Sequence, residues 1–388
     1  MTETATRPAP PATSLPRRAL PALLGYVGVR ALGLAVLAVW SAARGTSAHK
    51  LLSARWDSLW YARVAGAGYG HEVRLPDGDV HSDLAFFPLL PWLERLLHAV
   101  TPLSYADAGL AVSALASLAA AGGIFAVADR LYGARAGVCA VLLWAVLPVG
   151  IVQSMAYSES LFTALAAWSL FAVLSGRWVT AGLLASFAGL TRPVGAAVVA
   201  AVWVAAIASS RRTGSTPGAP RAPAWRRVLG AALAPLGAAA YVLWVGHRTG
   251  DGLLGYLDVQ AGWRNGFDGG YAFARFVAAM LTAFPSALAG IALILGVALL
   301  LRLYLAGVRQ RQPLALLVYS GVVLALALCA SSYFGSKPRL LLPAFPLLFP
   351  LARALARARP ARAALLTAAL AAVAALYGAL WLNGSGPP

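Results

Sequence analysis

The sequence predicts an all-α polytopic membrane protein, and both its composition and its hydropathy pattern indicate this. Hydrophobic residues make up 60% of the 388 residues and charged residues only 11%, whereas about 25% of the residues in a soluble domain are charged. The mean hydropathy is +0.73. Apolar stretches of roughly twenty residues, each long enough to cross about 30 Å of hydrocarbon, recur along the whole chain.

About eleven of these stretches are expected to be membrane-spanning helices within a single transmembrane domain over residues 19–388. The fifth and sixth are the least distinct, because Thr191, Arg192 and Pro193 interrupt a continuous apolar region and proline disfavours helix at the preceding residue. The expected spans cover residues 19–43, 107–128, 136–152, 158–175, 178–191, 194–210, 228–246, 284–304, 313–331, 340–356 and 363–382.

The net charge of +18 is distributed asymmetrically along the chain. With the N-terminus placed in the cytoplasm, the inner segments hold 18 of the 31 basic residues and only two acids, Glu3 and Asp129. The outer segments hold twelve basic residues and the other eleven acids. Because Lys and Arg in cytoplasmic loops set the orientation of membrane proteins and attract anionic lipid, the positive charge indicates topology rather than nucleic-acid binding.

Two cytoplasmic segments are expected to be flexible, a tail over residues 1–18 and a basic linker over residues 211–227. The first apolar stretch is too long for a signal-peptide core, so we expect it to remain as an anchored helix. Cys139 and Cys329 lie inside apolar stretches, and we expect both to be unpaired apolar residues rather than a disulfide or a redox pair.

Amphipathic helices are expected in the two long outer loops. In the first, over residues 44–106, apolar residues after Pro91 recur at helical spacing with polar residues such as Glu94 between them. Residues 272–283 in the second loop show a similar pattern. Helices of this kind lie in the membrane interface, where they help to shape a site between lipid and water.

Asp57 is the first candidate for chemistry, because it is a carboxylate among aromatic residues in the first outer loop. In a helix, Asp57, Trp60 and Tyr61 would share one face. Such a carboxylate can be a general base beside an aromatic floor for a sugar. It can also be a helix cap or the partner of Arg55 in a surface ion pair, and residue types alone leave the choice open.

Other outer acids also have two interpretations each. The segment from His71 to Asp83 brings His, Glu and Asp close together, as a divalent-metal site would, but its Asp-Gly pair also indicates a solvated hairpin turn. Glu159, in the segment from Tyr157 to Ser160, can cap a helix N-terminus or line the same cavity as Asp57.

Three outer cations, Arg192, Lys337 and Arg339, lie near the expected outer ends of spans. Single cations in such places are often interface anchors. Together they can instead hold a lipid-linked phosphate, which suits both the arginine fork and the point charge of lysine. The sequence contains no Walker A, GxSxG or HExxH motif and no Cys/His cluster, which argues against cytoplasmic nucleotide chemistry.

Five motifs occur in an order that resembles the PIG-V-like mannosyltransferases, the family of GPI mannosyltransferase 2 and of bacterial members. The likeness covers residues 20–350, and the motifs are specific as a set rather than singly. They are "RWDSLWYARVAGAGYG" from Arg55, "AFFPLLPWLERLL" from Ala85, "YSESLFTAL" from Tyr157, "LTRPVG" from Leu190 and "KPRLLLPAFPLL" from Lys337.

The resemblance implies a GT-C glycosyltransferase, a multi-helix membrane enzyme with its catalytic acid in the first outer loop and a polyprenyl-phosphate-sugar donor. By this likeness Asp57 is the general base of an inverting, metal-independent transfer to a hydroxyl of a glycolipid, glycan or protein, with no cofactor. Arg192, Lys337 and Arg339 lie on the other matched motifs, and their chemistry makes them the expected ligands of the donor phosphate. The implied substrate cavity is lined by Arg55, Trp56, Trp60, Tyr61, Tyr157 and Glu159.

The Ala-, Arg- and Gly-rich composition is typical of a high-GC bacterium, so the expected location is a bacterial cytoplasmic membrane with the site facing outside. The main alternative is a transporter or flippase for a lipid-linked sugar. It predicts symmetry-related halves and ionisable residues at mid-membrane, for which Arg30 and Arg192 are the candidates. A non-catalytic partner of a cell-envelope complex is a third possibility, in which Asp57 should tolerate substitution.

Overall fold

The structure is a computed structural model that describes residues 14–211, 223–331, 333–384 and 386. Most of this part of the chain is helical. The α-helices are α1 (Leu15–Ala43), α2 (Ala48–Ser53), α3 (Asp57–Ala67), α4 (Leu89–Val100), α5 (Tyr105–Tyr132), α6 (Ala134–Ala145), α7 (Glu159–Leu174), α8 (Trp178–Gly189), α9 (Gly195–Arg211), α10 (Ala224–Leu233), α11 (Leu236–Thr249), α12 (Gly255–Gly262), α13 (Tyr271–Met280), α14 (Ser286–Arg309), α15 (Leu314–Cys329), α16 (Lys337–Leu340), α17 (Phe349–Arg357) and α18 (Pro360–Leu382).

Short elements connect the helices. Two antiparallel strand pairs form, β1 with β2 and β3 with β4. The strands are β1 (Glu72–Arg74), β2 (Val80–Ser82), β3 (Gly266–Phe267) and β4 (Ala330–Ser331), and the 3-10 turns are Asp83–Ala85, Pro148–Ser154, Gly252–Leu254, Phe334–Ser336 and Phe345–Leu348.

The prediction of an all-α polytopic membrane protein is confirmed. In the part of the chain that the structure describes, five helical segments are long and apolar enough to cross a membrane, or seven if each of two bent pairs is one span. The other four expected spans are the shorter apolar helices α7, α8, α9 and α15. α8 has 12 residues, which at 1.5 Å per residue is about 18 Å and short of the bilayer core.

The two flexible segments lie mostly outside the described residues. Residues 1–13 of the expected tail are not described, and α1 begins at Leu15, four residues before the expected start of the first span. Within the expected linker, residues 212–222 are not described, and α10 begins at Ala224. Helical structure therefore extends further into the expected tail and the expected linker than their composition suggested.

A buried arginine stabilises the first of the bent spans. α6 ends at Ala145 and a 3-10 turn runs from Pro148 at 89° to it, so the last carbonyls of α6 have no helical partner. Arg30 on α1 donates its two terminal N–H groups to the carbonyl oxygens of Ala145 and Gly150. The Arg30 side chain, which lies inside the first span, therefore finds its hydrogen-bond acceptors at the break after α6.

Small residues allow the helices to approach closely. Gly182 on α8 lies so near the backbone of α10 that a Cβ there would be 2.2 Å from the carbonyl oxygen of Gly230. Gly123 on α5 packs against Ala167 and Trp168 of α7 in the same way. Contacts of this kind are typical of helices packed within a bilayer.

The expected interfacial helix forms as α4, and it turns an apolar face outward. The exposed fractions of Trp92, Leu96 and Val100 are 54%, 61% and 71%. Glu94 is an exception to the amphipathic pattern, because it is fully buried against Gly109 with no hydrogen-bond partner among the described residues. Burial in these apolar surroundings raises the pKa of Glu94 to about 9. The second expected interfacial helix forms as α13.

The segment from His71 to Asp83 forms the hairpin β1–β2 around its Asp-Gly turn, which confirms the turn interpretation. The hairpin docks on the second outer loop, where the Arg264 guanidinium pairs with Asp77 at 2.6 Å and also with Asp79. The described residues include no group of three or more His, Cys, Asp or Glu that could hold a metal ion. Cys139 and Cys329 are both free.

Candidate active site

Asp57 opens the helix α3, as its spacing from Trp60 and Tyr61 predicted. The residue before it, Trp56, has φ +53°, a left-handed conformation that is uncommon for a bulky side chain. The carboxylate oxygen Oδ2 of Asp57 lies 2.8 Å from Nη2 of Arg339. Asp57 therefore makes a tertiary ion pair and is not simply a helix cap.

The ion pair between Asp57 and Arg55 that the sequence left open does not form. Arg55 instead donates from Nη1 to the carbonyl oxygen of Leu382 at 2.7 Å and from Nη2 to that of Gly384 at 2.8 Å. Its guanidinium also lies 3.9 Å from the ring centroid of Trp56. Arg55 thus ties the start of α3 to the C-terminal end of α18.

Glu159, the first residue of α7, lies between two arginines. Its Oε1 is 2.5 Å from Nη1 of Arg192 and 3.6 Å from Nε of Arg339. The residue is only 1% exposed, so its charge depends on these partners rather than on water. Arg339 consequently touches both carboxylates, and Asp57 and Glu159 belong to one cluster.

Arg192 occupies the break between α8 and α9 that the Thr-Arg-Pro sequence predicted. Burial is the largest single influence and disfavours the charged form, but Glu159, Tyr61 and Asp57 together outweigh it and hold the pKa of Arg192 above its usual value. Its Nη1 also donates to Oγ of Ser158 at 3.2 Å, and that oxygen lies 2.8 Å from the hydroxyl of Tyr61. Tyr61 is on α3, one turn after Asp57, so the contacts form a closed ring.

Arg339 lies on the short helix α16, within the second bent span. Its guanidinium is 5.1 Å from the ring centroid of Tyr157. The residue is 8% exposed, and its Nη1 is buried with no hydrogen-bond partner among the described residues. A buried, charged N–H group of this kind is costly to leave unpaired, so Nη1 is the part of Arg339 that is open to a further acceptor.

The exposed fractions of the four charged side chains give the ring an orientation. They are 23% for Asp57, 13% for Arg192, 10% for Arg339 and 1% for Glu159. Asp57 is therefore at the accessible edge of the cluster and Glu159 at its base. Two carboxylates and two guanidinium groups make the cluster electrically neutral.

Not every expected site residue joins this cluster. Lys337 donates from Nζ to the carbonyl oxygens of Ala327 at 2.8 Å and Ala330 at 2.7 Å. Trp60 packs among outer aromatic rings, with ring centroids 5.5 Å from Phe86 and 5.1 Å from Trp263. Ser158, by contrast, connects Tyr61 with Arg192 although it was not among the expected site residues. Its position beside Glu159 in the sequence was the only available signal.

An apolar cavity of about 180 Å³ has Pro338, the sequence neighbour of Arg339, in its wall, but none of the four charged residues of the cluster lines it. It continues between the turn after α6, the helix α14 and the segment after α16. The lining residues are Leu147, Pro148, Val149, Leu300, Leu303, Pro338, Leu341, Leu342, Ala344, Phe345, Leu347 and Leu348.

Comparison with known families and structures finds related membrane proteins. Residues 83–220 match the family described as dolichyl-phosphate-mannose-protein mannosyltransferase, a stretch of little more than a third of the chain that includes Glu159 and Arg192 but not Asp57 or Arg339. A search of curated protein sequences found no significant match.

Among solved structures, the chain is similar to ArnT from Cupriavidus metallidurans bound to undecaprenyl phosphate. The TM-score is 0.53 and the identity 18%, over 88% of this chain and 61% of that one. The apo state of the same protein gives a TM-score of 0.50 and 17% identity, over 81% and 56% of the two chains. The chain spans about three fifths of the length of the ArnT chain bound to undecaprenyl phosphate. The likeness shows that this chain shares the fold of those ArnT structures.

Proposed function

We propose that this protein is a polyprenyl-phosphate-dependent glycosyltransferase that transfers mannose to an acceptor hydroxyl outside the membrane, with Asp57 as general base. The observation that carries the proposal is the 2.8 Å contact between Asp57 and Arg339. It puts a carboxylate and a buried cation at one site, and Pro338, the residue before Arg339, lines an apolar cavity. A transfer from a lipid-linked phosphate needs a base, a cation for the phosphate and room for the lipid chain.

Arg192 and Arg339 are the groups that bind the donor phosphate in this proposal. A guanidinium can give two parallel hydrogen bonds to a phosphate, and Arg339 has a buried Nη1 that is otherwise unpaired. The apolar cavity beside Pro338 suits the part of the polyprenyl chain nearest the phosphate. Lys337 holds the segment before α16 through two carbonyl oxygens and would have to leave them to reach the phosphate.

The reaction balances with Asp57 as the only base. Asp57 accepts the proton of the acceptor hydroxyl while the oxygen bonds to the anomeric carbon of the sugar. The bond between that carbon and the phosphate oxygen breaks on the opposite face, so the configuration is inverted and the electron pair stays on the polyprenyl phosphate. Arg192 and Arg339 stabilise the charge that develops there. A phosphate leaves readily, so a second carboxylate acting as acid is not needed, unlike in glycoside hydrolysis.

The side chains around the cluster have supporting roles. Tyr61 and Ser158 hold Arg192 in position through their mutual contact. Tyr157 lies under Arg339, and its ring limits where that guanidinium can move. Trp60, one turn along α3 from Asp57, packs on Phe86 and Trp263 instead, so it has no role at the cluster in this proposal.

Mannose is the proposed sugar for two reasons. The ordered motifs resemble the PIG-V-like mannosyltransferases, and residues 83–220 match a family of dolichyl-phosphate-mannose-dependent enzymes. A glycolipid, a glycan or a protein is the proposed acceptor. The charge asymmetry supports a cytoplasmic N-terminus in a bacterial cytoplasmic membrane with the site outside.

The test is transfer by the purified full-length protein from polyprenyl-phosphate mannose to a panel of glycolipid, glycan and peptide acceptors. Asp57→Asn is expected to lower transfer at least about 1,000-fold, since it removes the base and keeps the shape of the side chain. Asp258→Asn is the matched control, because Asp258 is an exposed acid of the second outer loop. Transfer by Asp57→Asn near the wild-type rate would overturn the assignment of the base.

A further inference from the structure

We propose that Arg339 is shared between Asp57 and the donor phosphate, so that Asp57 is restrained in the empty site and released for catalysis when the donor binds. This inference rests on the proposed function, because it concerns the order of events at the same site. It makes the donor a condition for an active base, and it predicts that Asp57 and the phosphate compete for one guanidinium.

The atoms of Arg339 support competition. Nη2 is bound to Asp57 at 2.8 Å, Nε faces Glu159 at 3.6 Å and Nη1 has no partner among the described residues. A phosphate that used Nη1 alone would contact only one nitrogen atom of the guanidinium. The fork geometry that favours phosphate binding uses two nitrogen atoms, and Nη2 is the second one on that side of the guanidinium.

The neutral charge of the cluster leads to the same conclusion. Asp57 and Glu159 already balance Arg192 and Arg339, so the single negative charge of a sugar phosphodiester leaves the site with net charge −1. Repulsion between like charges is strong in a partly buried site. Asp57 is the group that can yield, because it is 23% exposed while Glu159 is 1% exposed.

The reaction itself then relieves the repulsion between Asp57 and the phosphate. The acceptor proton neutralises Asp57 at the same time as the phosphate gains a negative charge, so the total charge of the cluster stays constant through the transfer. An acceptor that arrived before the donor would meet an Asp57 bound to Arg339. The donor is therefore expected to bind first.

Binding of a sugar-free polyprenyl phosphate tests the competition without turnover. Full-length wild type, Asp57→Asn and Asp258→Asn are titrated in detergent by calorimetry, with the uncharged polyprenol as a second ligand. Asp57→Asn is expected to bind the phosphate about tenfold more tightly than wild type, which corresponds to about 1.4 kcal/mol. Its affinity for polyprenol should be unchanged, and Asp258→Asn should match wild type for both ligands.

A double-mutant cycle identifies Arg339 as the shared group. In an Arg339→Gln background the competition is absent and only the repulsion between like charges remains, so Asp57→Asn should tighten phosphate binding by clearly less than in the wild-type background. Asp57→Asn binding no more tightly than wild type, or tightening equally for polyprenol, would overturn the inference. So would an undiminished gain of affinity in the Arg339→Gln background. Melting temperatures of all variants, compared with wild type, identify any that do not fold, and Asp57→Ala replaces Asp57→Asn in that case.

These results are separate from those of the transfer assay. If Asp57→Asn loses transfer but binds polyprenyl phosphate as wild type does, the proposed function stands and the sharing of Arg339 fails. If wild type transfers no sugar from polyprenyl-phosphate mannose but Asp57→Asn tightens phosphate binding, the shared anion site stands and the proposed function fails.

Discussion

Oδ2 of Asp57 lies 2.8 Å from Nη2 of Arg339, although the two residues are far apart in the sequence. Each sits where regular structure is interrupted, Asp57 after the left-handed Trp56 and Arg339 on a four-residue helix within a bent span. Irregular backbone at membrane depth is tolerated where it lines a cavity or is buried in protein. The contact thus joins two local breaks into one candidate site.

Arg192 and Lys337 are expected to differ in their effect on donor use. Arg192→Gln removes a charged hydrogen bond to the phosphate, which is worth about 1.5–3 kcal/mol, so the donor KM should rise about 10–100-fold with little change in acceptor KM. Lys337→Gln should chiefly lower the melting temperature, because its Nζ binds two backbone carbonyls. Initial rates at varied donor concentration give the donor KM of both variants, and thermal unfolding gives their melting temperatures. An equal rise in donor KM for the two variants would contradict the distinction.

Arg55 is expected to act as a positioning residue for Asp57. Arg55→Ala removes the contacts to Leu382 and Gly384 and the stacking on Trp56, so kcat should fall about tenfold at constant donor KM because the base is less well placed. Arg55→Lys should not restore kcat, since one ammonium cannot reproduce the two-pronged contact. Arg44→Ala, an exposed arginine of the same outer segment, is the control. A wild-type kcat for Arg55→Ala would argue that the contact is only structural.

Glu94 is expected to make stability depend on pH. Its pKa is about 9 in the folded protein against 4.5 as the ordinary value, so the folded state binds the extra proton between these values. Stability from this group is present below about pH 4.5 and is lost as the pH rises through about 9. Glu94→Gln should remove this slope and raise the melting temperature at pH 9 by about 2–4 °C.

Thermal unfolding from pH 5 to pH 9 measures the effect of Glu94, and Glu72→Gln serves as the control because Glu72 is exposed on β1. The two curves should be parallel for Glu72→Gln and wild type. A slope that persists in Glu94→Gln would show that another group is responsible.

Arg30 is expected to matter for folding rather than for movement of a substrate. Arg30→Met leaves the carbonyl oxygens of Ala145 and Gly150 without their donors, at about 1–3 kcal/mol for each buried group. The melting temperature should fall, and proteoliposomes should show no protein-dependent flipping of a lipid-linked sugar. Flipping by wild type that Arg30→Met abolishes without loss of stability would instead favour the transporter alternative.

Several features were predictable because they depend on local composition and spacing. The spacing of Asp57, Trp60 and Tyr61 predicted that this segment is helical, as α3 is. The Asp-Gly pair predicted the hairpin turn. The Thr-Arg-Pro interruption marked the break that holds Arg192. Glu94 could not be predicted in this way, since helical periodicity assigned it to a polar face and only the packing of α4 against Gly109 buries it.

The sequence by itself determined the helical membrane architecture and the candidate residues, because hydropathy and charge act over short stretches of chain. The tertiary structure decided which candidates meet. It separated Arg55 and Lys337 from the cluster, brought in Ser158, and joined Asp57 to Glu159 through Arg339. Contacts between distant segments depend on how helices pack and where they break, and a single sequence does not specify these locally.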